Sequence, residues 1–190
     1  MNRYENWFCA SSFWRYVTRR RLLPWILAGS ELGDHVLEIG AGPGAATEEL
    51  RRHAACVTSL DYDHSFAAFL AACQLGNQGA VLQGDAAALP FPNETFSSAI
   101  AVLVLHHLRS REVQDRAFAE IVRVLRPGGI FLAFEITDGW LQRVGHIRST
   151  FVPVVPAAVP ARLTTAGFSR VTVDFRRGAF RVRALRAAAG

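Results

Sequence analysis

The stretch "HVLEIGAGPGAATEEL", residues 35–50, decides the fold. An apolar run ending at Ile39 meets three alternating glycines, Gly40, Gly42 and Gly44, and an alanine-rich acidic segment follows. Glycine is used at that density where a backbone must turn sharply or let something come close. "VLEI" (36–39) reads as a buried strand. Residues 44–53 read as a helix with Glu48 and Glu49 in its early turns. A strand, a glycine turn and a helix start make a nucleotide-type site at the carboxyl edge of a parallel sheet. Gly40 permits the turn, Gly42 permits close backbone approach, and Gly44 opens the helix.

Working outward, "CVTSLDYD" (56–63) reads as the next strand, with Asp61 near its end. A helix follows through "HSFAAFLAACQLG", stopped by Gly76. "AVLQGD" (80–85) is a third strand, and "SAIAVLVL" (98–105) a fourth, apolar on both faces as a central parallel strand should be. "SREVQDRAFAEIVRVL" (110–125) is an amphipathic helix with Phe118, Ile121, Val122 and Leu125 on one side. "RPGG" ends it, and "GIFLAFEI" (129–136) is a fifth strand. After residue 137 the rhythm changes. Residues 138–156 hold Trp140, Phe151, Pro153 and Pro156 in an irregular segment. A helix near 157–166 precedes "RVTVDF" and "AFRVRALR", two alternating runs joined by Arg176-Arg177-Gly178 as a hairpin. The expected fold class is α/β: a doubly wound, mostly parallel, Rossmann-like seven-stranded sheet with an antiparallel C-terminal hairpin.

The 190 residues fit one domain, half of them hydrophobic, so a packed globule is expected over 1–190. Within it we expect an N-terminal helical lid (1–28), a cofactor-binding core (34–136), a substrate-side segment (138–156) and a closing helix and hairpin (157–186). The formal charge is +5, and every basic residue counted is Arg, because the chain has no Lys. The excess is read as spread over the surface, with no nucleic acid expected and peripheral contact with an acidic membrane left open. Cys9, Cys56 and Cys73 lack metal or redox spacing and read as reduced thiols of a cytoplasmic protein, buried as small hydrophobes. No metal site is expected. No apolar run reaches the length of a transmembrane helix. Arg19-Arg20-Arg21 before "LLPWILAG" imitates a secretion signal but starts too late, is broken by Pro24 and lacks a cleavage site.

The glycines admit two readings. Gly40-x-Gly42-x-x-Ala45 also fits a dinucleotide fingerprint, and Asp61 lies where a carboxylate would meet ribose hydroxyls in either case. Three features separate them. Glu38 before the loop would repel a pyrophosphate and attract a cationic amine or sulfonium. Pro43 removes an N–H that a phosphate would want. The absence of Lys removes a Tyr-x-x-x-Lys dehydrogenase pair, a P-loop and Schiff-base chemistry.

"VLEIGAGPG", "LDYD", "GDAAALPFPNETF", "LVLHHL" and "LRPGG", in that order and spacing, resemble the class I S-adenosylmethionine-dependent methyltransferases, particularly the small-molecule group. The resemblance is close over 34–136 and looser to 186. It implies S-adenosyl-L-methionine as cofactor. Gly40, Ala41, Gly42 and Gly44 would lie against its methionine part, with Glu38 near its amine. Asp61 would hold the ribose hydroxyls, with Tyr62 packed by the adenine. Asp85 and Ala86 would read the adenine edge, and Val102 and Leu103 would line the site. Where the family usually has Asp after Phe96, this chain has Ser97, which puts the local start of that strand in question. Plainer roles stay open: Asp61 as a strand-end cap, Asp85 as a turn former, Glu38 as a solvated carboxylate.

His106 and His107 follow the fourth strand, where a base could act if the acceptor must lose a proton; site lining is the other role. Trp7, Phe8, Phe13, Trp14 and Tyr16 could lid a pocket, or simply cover the flank of the sheet. The expected acceptor is a small apolar or aromatic molecule. Two other functions remain open here: a nicotinamide-dependent oxidoreductase, and a non-catalytic cofactor-binding subunit.

Overall fold

The computed structural model describes residues 8–73, 79–145 and 149–188. Five strands run parallel: β1 (His35–Ile39), β2 (Cys56–Asp61), β3 (Val81–Gln83), β4 (Phe96–Val102) and β5 (Leu125–Ile136). Two more, β6 (Phe168–Arg176) and β7 (Ala179–Arg186), complete one sheet of order β3-β2-β1-β4-β5-β7-β6 among the described residues. β7 is antiparallel to both neighbours. This is the expected α/β architecture, closing hairpin included. Because β1 pairs with both β2 and β4, the strand order reverses there, and a crevice opens beyond the carboxyl ends of β1 and β4.

The helical elements are α1 (Ser12–Val17), a π turn (Thr18–Leu22), α2 (Leu23–Leu27), α3 (Thr47–Leu50), α4 (His64–Cys73), α5 (Arg111–Val124), α6 (Trp140–Gly145) and α7 (Val159–Ala166). Strand alternation sorts the core into two layers. Leu37, Ile39, Ala99, Ala101 and Phe131 face α5 and α7 through Phe118, Ile121 and Leu163. Val36, Ile100, Leu132 and Phe134 face the other way, onto Leu23 and Ile26 of α2 and Leu50 of α3. The N-terminal segment therefore covers one face of the sheet. Trp25 meets Phe134 edge-on at 5.9 Å, and the guanidinium groups of Arg176 and Arg181 lie over its indole.

Several local expectations change. The helix expected over 44–53 shrinks to Thr47–Leu50, because Gly44 has a φ of 82° and cannot join a right-handed helix. The strand expected over 98–105 ends at Val102; Leu103 has a φ of 57°, and a single tight turn, Leu105–His107, follows. "RPGG" is a bulge inside β5 rather than a turn before it, since Phe96 faces Leu125 while Ser98 faces Ile130. The helix after Asp61 is followed to Cys73; Gly76, its expected stop, and Trp7 lie outside the described residues. The hairpin loop is the pair Arg177-Gly178, both at positive φ, as a two-residue turn of the favoured twist requires.

Ser97 answers the question raised by its unusual identity. Its hydroxyl accepts from the His35 N–H at 3.0 Å and lies 2.7 Å from the Leu32 carbonyl. It thus ties the start of β4 to the chain entering β1 at the position where the ladder bulges. Ser97→Ala leaves the His35 N–H without its partner, at a cost of about 1–3 kcal/mol. Urea unfolding should show a lower midpoint with an unchanged slope. An unchanged midpoint would mean that water replaces the hydroxyl without loss.

Candidate active site

The glycine turn is held from behind by backbone and from the side by one carboxylate. The Gly40 N–H donates to the Leu60 carbonyl at 2.7 Å. A Cβ at Gly40 would stand 2.3 Å from Cγ2 of Val104, so this position is glycine for packing. A Cβ at Gly42 would meet nothing within 4 Å, so the crest of the turn faces open space. A Cβ at Gly44 would stand 2.7 Å from Leu70, so that glycine fits the turn under α4 rather than opening a helix. Ala41 is buried behind the crest.

Asp61, the last residue of β2, reaches across to this crest. Its Oδ2 accepts from the Gly42 N–H at 2.7 Å, and its Oδ1 accepts from the Asp63 N–H at 2.8 Å. Burial pushes its pKa up, while those two N–H groups pull it down. Asp61 therefore caps its own strand end and clamps the turn together. Each oxygen keeps a lone pair for another donor.

Glu38 is not a solvated carboxylate: it is 3 % exposed. Its Oε2 accepts from Thr47 Oγ1 at 2.6 Å and from Ser59 Oγ at 2.7 Å. Burial raises its pKa, opposed chiefly by those two hydroxyls. Tyr62 follows Asp61 and is exposed, its hydroxyl accepting from Arg109 at 3.0 Å. Asp85 folds back on itself: its Oδ1 accepts from the Ala87 N–H at 2.8 Å, the turn-forming role left open above. Ala86 beside it is buried. Val102 ends β4, one residue past the Ala101–Ile39 pair, and Leu103 donates its N–H to the Phe134 carbonyl at 2.8 Å.

The sequence reading missed Glu135, near the end of β5 and fully buried. Its Oε1 accepts from the N–H groups of Val104 at 3.0 Å and Leu105 at 2.7 Å. Its Oε2 lies 2.5 Å from Nδ1 of His106, which donates to it. The available signal was a lone acid in an otherwise apolar strand, since Glu is almost never fully buried unless paired. His106 is itself buried, its ring 4.2 Å from that of His107 and edge-on to Phe151. The His106 carbonyl accepts from the Val152 N–H at 2.8 Å, so the segment after α6 straps over this turn. Glu38, the glycine turn and Asp61 thus form one cluster. Val102, Leu103 and the His106–Glu135 pair stand beside it across β4, and Asp85 lies two strands away beyond β3. Among the described residues no group of three His, Cys, Asp or Glu side chains is placed to hold a metal ion.

A family described as "Methyltransferase domain" matches residues 37–133. The chain is 29% identical over 137 residues to a sterol 24-C-methyltransferase of Eremothecium gossypii, covering 70% of this chain and 36% of that protein. It is 32% identical over 126 residues to a demethylmenaquinone methyltransferase of Thermobifida fusca, covering 60% of this chain and 52% of that protein. The chain therefore spans about half or less of the length of these relatives. In fold it is similar to the N-methyltransferase NodS of Bradyrhizobium japonicum, solved with S-adenosyl-L-homocysteine: TM-score 0.74, 19% identity, 95% of this chain and 91% of that one.

Glu38 yields a stability test independent of any ligand. Its folded pKa is raised, so the folded state holds the proton more tightly than the unfolded state. Stability therefore falls as pH rises from the ordinary Glu range through the raised value, and is flat above it. Glu38→Gln retains an oxygen for Thr47 and Ser59 and removes the buried charge. The variant should unfold at higher temperature than wild type near about pH 8 and lose that advantage near about pH 4. A variant less stable at both values would mean that the charge itself is held favourably.

Proposed function

We propose, because this chain belongs to the class I S-adenosylmethionine-dependent methyltransferases, that it transfers a methyl group in line to a small apolar or aromatic-bearing acceptor. The observation that carries the proposal is the Asp61–Gly42 hydrogen bond, which fixes an acid at the lip of an open glycine crest. The residues present suit the cofactor. The space in front of Gly42 allows close approach, and the free lone pairs of Asp61 suit ribose hydroxyls. The charge of Glu38 behind the turn favours a cationic amine and sulfonium over a pyrophosphate. Pro43 points the same way.

When bound, the cofactor supplies an activated methyl whose thioether leaving group needs no acid. The work left to the chain is alignment and exclusion of water, and alignment alone is worth roughly 7–11 kcal/mol in favourable cases. Gly40–Gly44 and Glu38 would hold the methionine part, Asp61 the ribose, Tyr62 the adenine face, and Asp85 with Ala86 the adenine edge. Val102 and Leu103 would floor the site. Where the acceptor must lose a proton, His106 would take it, its ring aligned by Glu135, with His107 alongside. Residues 1–28 and 138–156 would form the acceptor walls. An apolar acceptor fits the two relatives, named for a sterol and for demethylmenaquinone. A cytoplasmic location belongs to the same proposal; no described helix is long and apolar enough to cross a membrane.

Calorimetric titration with S-adenosylhomocysteine tests the assignment. Wild type should bind it far more tightly than a nicotinamide dinucleotide; the reverse order would overturn the proposal. Asp61→Ala should lose about tenfold or more in affinity, since a charge-assisted hydrogen bond is worth roughly 1.5–3 kcal/mol. Gly42→Ala should bind as poorly, with its Cβ in the cofactor's space, while its melting point drops only by the strain of a positive φ.

A further inference from the structure

Large apolar side chains exposed on this molecule gather at one edge of the sheet. Tyr62 follows the carboxyl end of β2, and Trp140 and Val144 lie on α6, just past the carboxyl end of β5. Phe175, in β6, pairs with Phe180, which pairs with Glu135 near the same end of β5. Phe13 and Tyr16 lie on α1. The chain after α1 runs down the face: Trp25 is level with Phe134, Ala28 bonds Arg183 beside Leu132, and Leu32 bonds Ser97 at the start of β4. Extended back along the same run of helix, the residues before Trp25 point toward the carboxyl edge, and Arg19 pairs with Glu49 of α3, the helix after the glycine turn, at 3.1 Å. Phe13, Tyr16, Trp140 and Phe175 are 65, 61, 72 and 66 % exposed. Of the remaining two exposed apolar residues, Val155 lines a hollow with Asp138 and Arg143 past the end of β5, and Phe69 lies on α4.

α1 is the sharpest case, since it buries no residue at all. A helix that leaves aromatic side chains in water is a surface in want of a partner. The charge says which partner. From Phe8 to Ser30 the chain carries Arg15, Arg19, Arg20 and Arg21, with no acid in the described part of the segment before Glu31. Arg15, Arg20 and Arg21 are exposed and make no ion pair among the described residues. Arg177 in the hairpin loop adds a fourth such cation at the same edge. Of the acids nearby, Asp138 is paired with Arg143 at 2.7 Å and Asp63 accepts from the Ser65 hydroxyl.

We propose that this carboxyl edge docks on an anionic lipid surface, with Phe13, Tyr16 and Trp140 entering the interface and the arginines meeting the head groups. Aromatic side chains flanked by cations are the composition that binds such a boundary, each cation near the surface adding to the attraction. The crevice would then open toward the bilayer, so that an apolar acceptor enters without crossing water. That consequence rests on the acceptor class proposed above; the docking itself does not.

Co-sedimentation with vesicles, done without cofactor or acceptor, separates the two. The protein should pellet with phosphatidylcholine vesicles containing phosphatidylglycerol, release at high salt, and bind phosphatidylcholine alone weakly. Its tryptophan emission should shift to the blue on binding, and Trp140→Phe should lose most of the shift. The triple variant Phe13→Ser, Tyr16→Ser, Trp140→Ser, and separately Arg15→Ser, Arg20→Ser, Arg21→Ser, should each weaken binding at least about tenfold, with thermal midpoints unchanged. Arg126→Ser with Arg170→Ser, at the amino edge, should leave it intact. Equal pelleting with neutral vesicles, equal loss from the amino-edge pair, or self-association in sedimentation velocity with no vesicle binding overturns the proposal. Vesicle binding without S-adenosylhomocysteine binding would instead sustain it and sink the methyltransfer reading.

Discussion

One buried carboxylate holds the carboxyl edge of the sheet together. Glu135 takes two backbone N–H groups of the turn after β4 on one oxygen and the His106 ring on the other. That fixes Val104, whose side chain fills the space a Cβ at Gly40 would need. Gly40 in turn bonds Leu60, and two residues on Gly42 bonds Asp61. The ends of β5, β4, β1 and β2 are thereby linked in one chain of contacts. A carboxylate as deeply buried as Glu135 is costly to leave short of hydrogen-bond partners, so the three it has hold the turn firmly. Position is thus transmitted to the glycine crest, at the end of β1, from an acid two strands away.

What could be read from the sequence follows from how local each signal is. The strand–glycine–helix order, the apolar central strands and the closing hairpin all declare themselves within a few residues, and the sheet has the expected number of strands and polarity. Gly42 and Asp61 could be singled out because backbone approach and a strand-end acid have short-range signatures, and the structure bonds them to each other. Glu135 was not, since its partners lie 29 to 31 residues back and nothing in "GIFLAFEI" says what it faces. Element ends failed where a positive φ intervened: Gly44 delayed α3 and Leu103 cut β4 short. Asp85 could be read as ligand-facing or turn-forming; the Ala87 N–H at its Oδ1 shows the second role and leaves its Oδ2 for the first. The aromatics of the N-terminal segment were weighed as a pocket lid or a flank cover; Trp25 covers the flank, while Phe13 and Tyr16 are exposed on α1.

The two edges of the sheet are built on opposite terms. At the amino edge, Ser97 joins β4 to β1, Arg126 meets Asp34 at 2.6 Å, and Arg183 meets Ser30 at 2.6 Å. These contacts serve the fold. At the carboxyl edge the chain accepts a buried acid in Glu38 and a row of aromatics in water, besides a leucine at positive φ of the kind that Glu94 and Arg170 also show at the amino edge. Each is unfavourable for an isolated chain, and strain of that kind persists only where the surroundings over-determine it. The surroundings here are the Glu135 network below and, in the proposals made above, ligand and lipid on the other side.

Charge follows the same division. The molecule is positive overall, yet the groups gathered behind the glycine crest are Glu38 and Asp61, both with pKa values raised by burial. Desolvation is the first cause of both shifts, with the Asp61 charge a smaller repulsion on Glu38. A cation arriving between them would relieve that repulsion and lower both values, so cationic ligand binding and deprotonation of this pair favour one another. Affinity for S-adenosylhomocysteine, whose only cationic group is its amine, should then fall as pH drops through the raised values. It should do so less steeply than affinity for the sulfonium form, which brings a second positive charge to the same acids. Parallel pH titrations of the two ligands read that difference directly, and identical slopes would mean that the acids act through hydrogen bonds alone.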